Sequence, residues 1–215
     1  MKITRFFSSS VGKKSVMSIT GFLLGCFLLL HLAGNTTVFL GRNAFISYAT
    51  HLHSLGPIIH IFEAGLVTVF ILHVFFALRL YIENLSARPE RYAMDRSSGG
   101  RTFASRTMPY TGVLILIFII LHLKNFYFTD SSIPIADTVR TSLRNPVICL
   151  YYVVSLLILG IHTSHGFWSL FQSLGVNHPH FNEFLRQGAI IVSVLGAGVF
   201  MAIPIAAFLF NNFLL

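Results

Sequence analysis

Residues 16–40 read VMSITGFLLGCFLLLHLAGNTTVFL, a stretch with no acidic, lysine or arginine side chain and one histidine, His31, deep inside it. A helix needs about 20 apolar residues to cross a hydrocarbon core of roughly 30 Å. This stretch exceeds that length, and four others match it: residues 57–81, 107–128, 146–174 and 188–215. Backbone polar groups in lipid must be satisfied within their own segment, so helices are the expected form. The chain is therefore expected to be all-α, one membrane domain built as a bundle of five transmembrane helices.

Composition points the same way. With 54% hydrophobic and only 10% charged residues, the principal solvent is lipid. The net charge of +8 does not signal nucleic acid, because the basic residues sit in the connections and alternate in density. Lys2, Arg5, Lys13, Lys14, Arg79, Arg88, Arg91, Arg96, Arg101, Arg106 and Arg186 fall on one side of the bundle; Arg42, Lys124, Arg140 and Arg144 fall on the other. The positive-inside rule then puts the N-terminus in the cytoplasm and the C-terminus outside.

Of the connections, residues 83–106 hold Pro89, Ser97, Ser98, Gly99 and Gly100, which read as a loop open to a soluble partner. Residues 41–56 are amphipathic through Tyr48, His51, Leu52, His53 and Leu55 and should lie at the interface over the bundle mouth. Gly21 and Gly25 make a small-xxx-small pair suited to close helix approach. The two cysteines, Cys26 and Cys149, belong to opposite ends of their spans and read as buried small residues, not a disulfide. Leu23-Leu24-Gly25-Cys26 imitates a lipoprotein cleavage site, but the apolar run continues past Cys26, so a span is expected instead.

Each of the first four spans carries a histidine inside its apolar run: His31, His73, His122 and His162. Ionisable side chains are costly at membrane depth and are functional candidates for that reason. A haem iron held by two imidazoles needs them on facing helices at one depth. Counted from the span ends at about 1.5 Å per residue, His31 and His122 fall in one layer, and His73 and His162 in another. The four histidines can thus hold two haems, with His31 paired to His122 and His73 to His162. His165 shares the face of His162, one turn further on, and is a neighbour of the site with a lesser claim to be the ligand. Glu63 is the only acidic residue well within an apolar run, whereas a proton-coupled transporter tends to carry carboxylates near mid-membrane. Electron transfer is favoured over ion transport.

These residues resemble one family along nearly the whole chain: the single-chain, two-haem cytochrome b anchor of succinate:quinone oxidoreductases and quinol:fumarate reductases. The resemblance is carried by His31-Leu32 with Asn35, by residues 73–79 (HVFFALR), by Leu121-His122, and above all by residues 162–169 (HTSHGFWS). It implies the same four axial ligands in the same pairs on two haems b, with His31 and His122 on the distal iron and His73 and His162 on the proximal one, nearer the cytoplasm. It also implies a flavoprotein subunit and an iron-sulfur subunit on the cytoplasmic side of a prokaryotic inner membrane. The chain itself has neither a dinucleotide-binding glycine pattern nor a cysteine cluster. The substrate is a membrane quinone, with menaquinone expected from the two-haem type, and dimerisation of the complex is compatible with it.

A quinone site needs polar groups beside an apolar slot. His51, His53, His60 and Glu63 gather at the outer start of the second span, where Glu63 would exchange quinone protons. The rival place is the proximal end, where His165, Trp168 and Arg79 would surround haem or quinone. Some fumarate-reducing members carry a glutamate two residues before the fourth-span ligand; here that place is Gly160, which puts coupling to transmembrane proton movement in doubt. Two other readings stay open: a cytochrome b subunit of a hydrogenase or formate dehydrogenase, and a haem-free transporter or anchor.

Overall fold

The computed structural model describes residues 3–87, 103–130, 132–176, 178–210 and 212–214. Among them the regular structure is entirely helical. Five helices are long and apolar enough to cross a membrane, so the chain is a multi-pass membrane protein. In chain order α1 (Ile3–Ser8) leads into α2 (Ser10–Thr36), the first span, which ends in a 3₁₀ turn (Thr37–Leu40). The remaining helices are α3 (Arg42–His53), α4 (Pro57–Ser86), α5 (Phe103–Phe126), α6 (Ile135–Leu143), α7 (Pro146–Ser173) and α8 (Pro179–Leu209). Lys2, Arg88, Arg91, Arg96 and Arg101, with most of the polar loop expected at 83–106, lie outside the described residues.

Local chemistry sets the helix starts. The Ser9 hydroxyl accepts from Gly12 N at 3.0 Å, and the Asn145 side chain accepts from Val147 N at 2.9 Å and Ile148 N at 3.2 Å. Proline opens α4, α7 and α8, where its missing N–H costs nothing. Gly56 precedes α4 with φ +57°, a conformation that favours glycine. The fifth span is displaced from the expected 188–215: it runs Pro179–Leu209, because proline starts it and its polar first turns satisfy themselves. There Gln187 Nε2 donates to Glu183 Oε1 at 3.0 Å, and Arg186 pairs with Glu183 at 3.5 Å.

The first four spans form a ring. The main contacts run α2 to α4, α4 to α5, α5 to α7 and α7 back to α2, which leaves α2–α5 and α4–α7 as the diagonals. Helix α8 lies outside the ring against α7 and α2. At Gly160 this approach is so close that an added Cβ would sit 2.9 Å from the Ala197 Cβ. The space beside Gly160 is thus filled by the α7–α8 contact itself.

Each end of the bundle is pinned by charge. At the end nearer the N-terminus the Lys13 ammonium, almost wholly buried, meets Glu83 Oε1 at 2.5 Å and Oε2 at 2.7 Å, and Arg79 reaches Glu83 at 3.5 Å. At the opposite end Arg42 pairs with both carboxylate oxygens of Asp137 and donates to Leu214 O at 3.4 Å. The hydrogen bond and charge of Arg42 hold the Asp137 carboxyl below its ordinary range. That pair joins α3 to α6 over a buried cluster of Val38, Phe45, Ala136, Val139 and Leu143. The amphipathic segment 41–56 is thus helical over Arg42–His53 and packs against α6 and the end of α2.

Large apolar side chains such as Leu30, Ile61 and Val147 are more than two-thirds exposed, as lipid solvation requires. Cys26 joins them and corrects the expectation of burial: it is one residue past Gly25, which packs against Phe167, and that step rotates its side chain outward. Cys149 is buried and its thiol donates to Pro204 O at 3.4 Å.

The Tyr48 ring lies directly on Gly34, where an added Cβ would come within 2.3 Å of the phenol oxygen. Gly34→Leu is expected to lift Tyr48 and α3 off the bundle. The overpacking cost is about 1–3 kcal/mol, measured as a lower unfolding temperature in detergent.

Candidate functional site

His31 on α2 and His122 on α5 meet across one diagonal of the ring, their ring centroids 5.9 Å apart and their planes at 85°. Phe27 stacks on His31 at 5.3 Å, and Phe118 and Phe126 flank His122 at 5.5 and 5.4 Å. The second diagonal belongs to His73 on α4 and His162 on α7, which lie within electrostatic reach of each other. All four imidazoles are half-buried.

Neighbours fix the depth of each pair. His73 lies against Thr20 and Gly21, and His162 against Thr111 and Gly112. On α2 those contacts precede His31 by ten or eleven residues, and on α5 they precede His122 by the same interval. At 1.5 Å rise per residue the two layers are thus separated by about 15 Å. Counting from the expected span ends gives a smaller gap because α2 and α5 both start before their expected limits. The His73–His162 layer is the one nearer the Lys13–Glu83 end.

Each layer would offer two imidazoles to an iron. An imidazole nitrogen binds a first-row metal at about 2 Å, so two imidazoles sharing one metal would have ring centroids roughly 6 Å apart, and those of His31 and His122 are 5.9 Å apart. Among the described residues no three His, Cys, Asp or Glu side chains gather into a closed protein metal site. Each layer holds two imidazoles, the residues that would hold a macrocycle-bound iron there. His122 Nδ1 and the Tyr151 hydroxyl are buried without a hydrogen-bond partner among the described residues.

In the His73–His162 layer the imidazoles are held. The Thr20 hydroxyl reaches Val16 O at 2.8 Å and Met17 O at 3.0 Å, and lies 3.2 Å from His73 Nδ1. The Thr111 hydroxyl reaches Thr107 O and Met108 O, both at 3.1 Å, and lies 3.0 Å from His162 Nδ1. Neither threonine stands out from composition or charge. What marks them is recurrence: Thr-Gly precedes a histidine by the same interval in the first and third spans.

No family model, curated protein or solved structure matches the chain. Its candidate chemistry therefore rests on its own residues.

A second polar cluster sits at the mouth on the His31–His122 side. Glu63 Oε2 is 3.0 Å from His60 Nδ1 and accepts from the Tyr127 hydroxyl at 3.1 Å. Tyr127, at the end of α5, is a member that sequence reading misses. Its phenol is pushed above its ordinary range by the hydrogen bond to Glu63 and by the carboxylate charge, so it keeps its proton. His53 lies within electrostatic reach of Glu63, with its Nδ1 2.8 Å from Ala49 O. His51 is turned to its own helix, Nδ1 2.7 Å from Ser47 O, and does not join the cluster by hydrogen bond.

At the other end, His165 and Trp168 are half-buried on α7 beyond His162. The Arg79 guanidinium lies 6.0 Å over the Phe75 ring, besides its contact with Glu83.

Proposed function

We propose that this chain is the dihaem cytochrome b membrane anchor of a succinate:quinone oxidoreductase or quinol:fumarate reductase. The observation that carries the reading is the placement of two histidine pairs on the two diagonals of one helix ring, in layers about 15 Å apart. His31 and His122 hold the distal iron, and His73 and His162 the proximal one. When bound, the haems supply one-electron relays across the bundle; position, dryness and electrostatics are the protein's share.

The N-terminal end is cytoplasmic in this reading and faces a flavoprotein and an iron-sulfur subunit. Lys13, Arg79 and Glu83 pin α2 to α4 there, beneath the proximal pair. Membrane quinone, with menaquinone the expected form, reacts at the opposite mouth. The Glu63 carboxylate takes or returns the proton, while Tyr127 and His60 hold it by hydrogen bonds. The helix that follows Gly56 places these groups beside lipid-exposed Ile61 and Phe62, an apolar flank for an isoprenoid tail.

The decisive experiment is a pyridine-haemochrome assay with protein quantification on the purified complex. The expected result is about two haems b per chain, as two bis-histidine sites require. A well-folded preparation, supplied with haem and holding none, would overturn the proposal. Co-purification with a hydrogenase or formate dehydrogenase in place of a flavoprotein would reassign the partner.

A further inference from the structure

We propose that Thr20-Gly21 and Thr111-Gly112 are positioning dipeptides that fix the tautomer and seat of His73 and His162, an inference that rests on the haem reading above. A hydroxyl has one proton to donate and two lone pairs to accept with. In both threonines that proton is directed at carbonyls of the preceding turn, Val16 and Met17 for Thr20, Thr107 and Met108 for Thr111. With that proton committed, the hydroxyl faces the imidazole as an acceptor. His73 Nδ1–H therefore lies between two acceptors, Thr20 Oγ1 at 3.2 Å and the Met17 carbonyl, and His162 Nδ1–H donates to Thr111 Oγ1 at 3.0 Å. A neutral imidazole protonated at Nδ1 carries its lone pair on Nε2. Each threonine thus presents one nitrogen, and the same one, for metal binding.

Thr20 and Thr111 are 5% and 7% exposed, so water has little access to compete for either contact. The adjoining glycine supplies the seat. A Cβ at Gly21 would approach His73 Cε1 to 3.3 Å, and one at Gly112 would approach His162 Cε1 to 3.7 Å.

The two devices belong to one repeated pattern. Residues 20–32 read TGFLLGCFLLLHL and residues 111–123 read TGVLILIFIILHL. In each, Thr-Gly serves a histidine of the neighbouring helix, and the later histidine serves the other layer with a phenylalanine four residues before it, Phe27 or Phe118, against its ring. Helices α2 and α5 therefore each carry a ligand for one iron and the positioning contact for the other.

Outer-sphere partners of a ligating histidine set its orientation and its donor strength, and losing one typically costs 10- to 100-fold in metal affinity. The test uses the whole complex carrying Thr20→Val with Thr111→Val, and in parallel Thr20→Ser with Thr111→Ser. The measurements are haem retention during dilution, a potentiometric titration and the low-spin electron paramagnetic resonance spectrum. In the valine variant the proximal haem is expected to be held about 10- to 100-fold more weakly, with a raised potential because its ligands donate less charge to ferric iron. The distal haem, ligated by His31 and His122, stays unchanged and reports that the bundle is folded. The serine variant keeps wild-type behaviour.

A valine variant with both haems at wild-type affinity, potential and spectrum would overturn the inference while leaving the haem reading intact. So would equal loss in the serine variant, which marks a packing role. Wild-type complex without haem overturns the proposed function itself.

Discussion

Alanine at His73 or at His162 is expected to yield a complex with about one haem b per chain in place of two. Each substitution removes one axial ligand from the layer nearer the Lys13–Glu83 end. The remaining imidazole keeps its threonine contact, but one protein ligand is left where two held the iron. The His31–His122 layer lies about 15 Å away along the helices and shares no ligand with it, so its haem stays. The surviving haem should therefore show the redox and spectroscopic signature of the pair at 5.9 Å centroid spacing, whichever of the two histidines is changed. The reciprocal result, loss of the other haem alone, is expected for His31→Ala or His122→Ala. Haemochrome content, together with a redox titration resolved into components, decides it. Two haems retained in His73→Ala would break the pairing.

Glu63→Gln is expected to lower electron flow to quinone by about 100-fold or more, the usual contribution of a positioned acid or base, with both haems in place. Glutamine keeps the shape and can still receive a hydrogen bond from Tyr127, but it cannot carry the proton. Reduction of the haems by succinate should continue, because that electron path does not pass through Glu63. Turnover with a water-soluble quinone analogue, set against succinate reduction of an artificial acceptor, separates the two. Unchanged quinone turnover would move the reaction to the opposite end, among His165, Trp168 and Arg79.

The five spans and the four inward histidines were legible in the sequence for one reason: both depend on composition at membrane depth, where a single ionisable group stands out from twenty apolar ones. Helix ends were less legible, because they depend on caps. Pro179 and the Glu183 contacts start α8 in a region that reads as polar connection. Helix α6 was missed although Ala136, Val139 and Leu143 repeat at helical spacing, since so short a helix gains its stability from α3, α5, α7 and α8 rather than from its own propensity. Thr20 and Thr111 were invisible singly because a threonine in an apolar helix ordinarily bonds its own backbone, as Thr68 does to Ala64 O at 2.8 Å. Only the neighbouring helix shows that these two have a further partner. The Glu63 cluster was half legible: His60 is on the same helix, whereas Tyr127 arrives from α5.

The diagonal arrangement also sets an order of birth. A chain is made from its N-terminus at about 5–20 residues per second, and His31 and His122 are both synthesised before His162. The distal pair is complete once α5 has entered the bilayer. The proximal pair waits for α7, about 2–8 s longer at that rate, although its threonine seats on α2 and α5 are already made. During that interval the nascent bundle has one finished cradle and one half-built one, and α8, which carries no ligand, closes the side of the ring last. If the pairs hold haem as proposed, biogenesis is directional across the bilayer: the layer farther from the N-terminal end would gain its ligands first, and a chain truncated between α5 and α7 is expected to have that layer alone able to capture a cofactor.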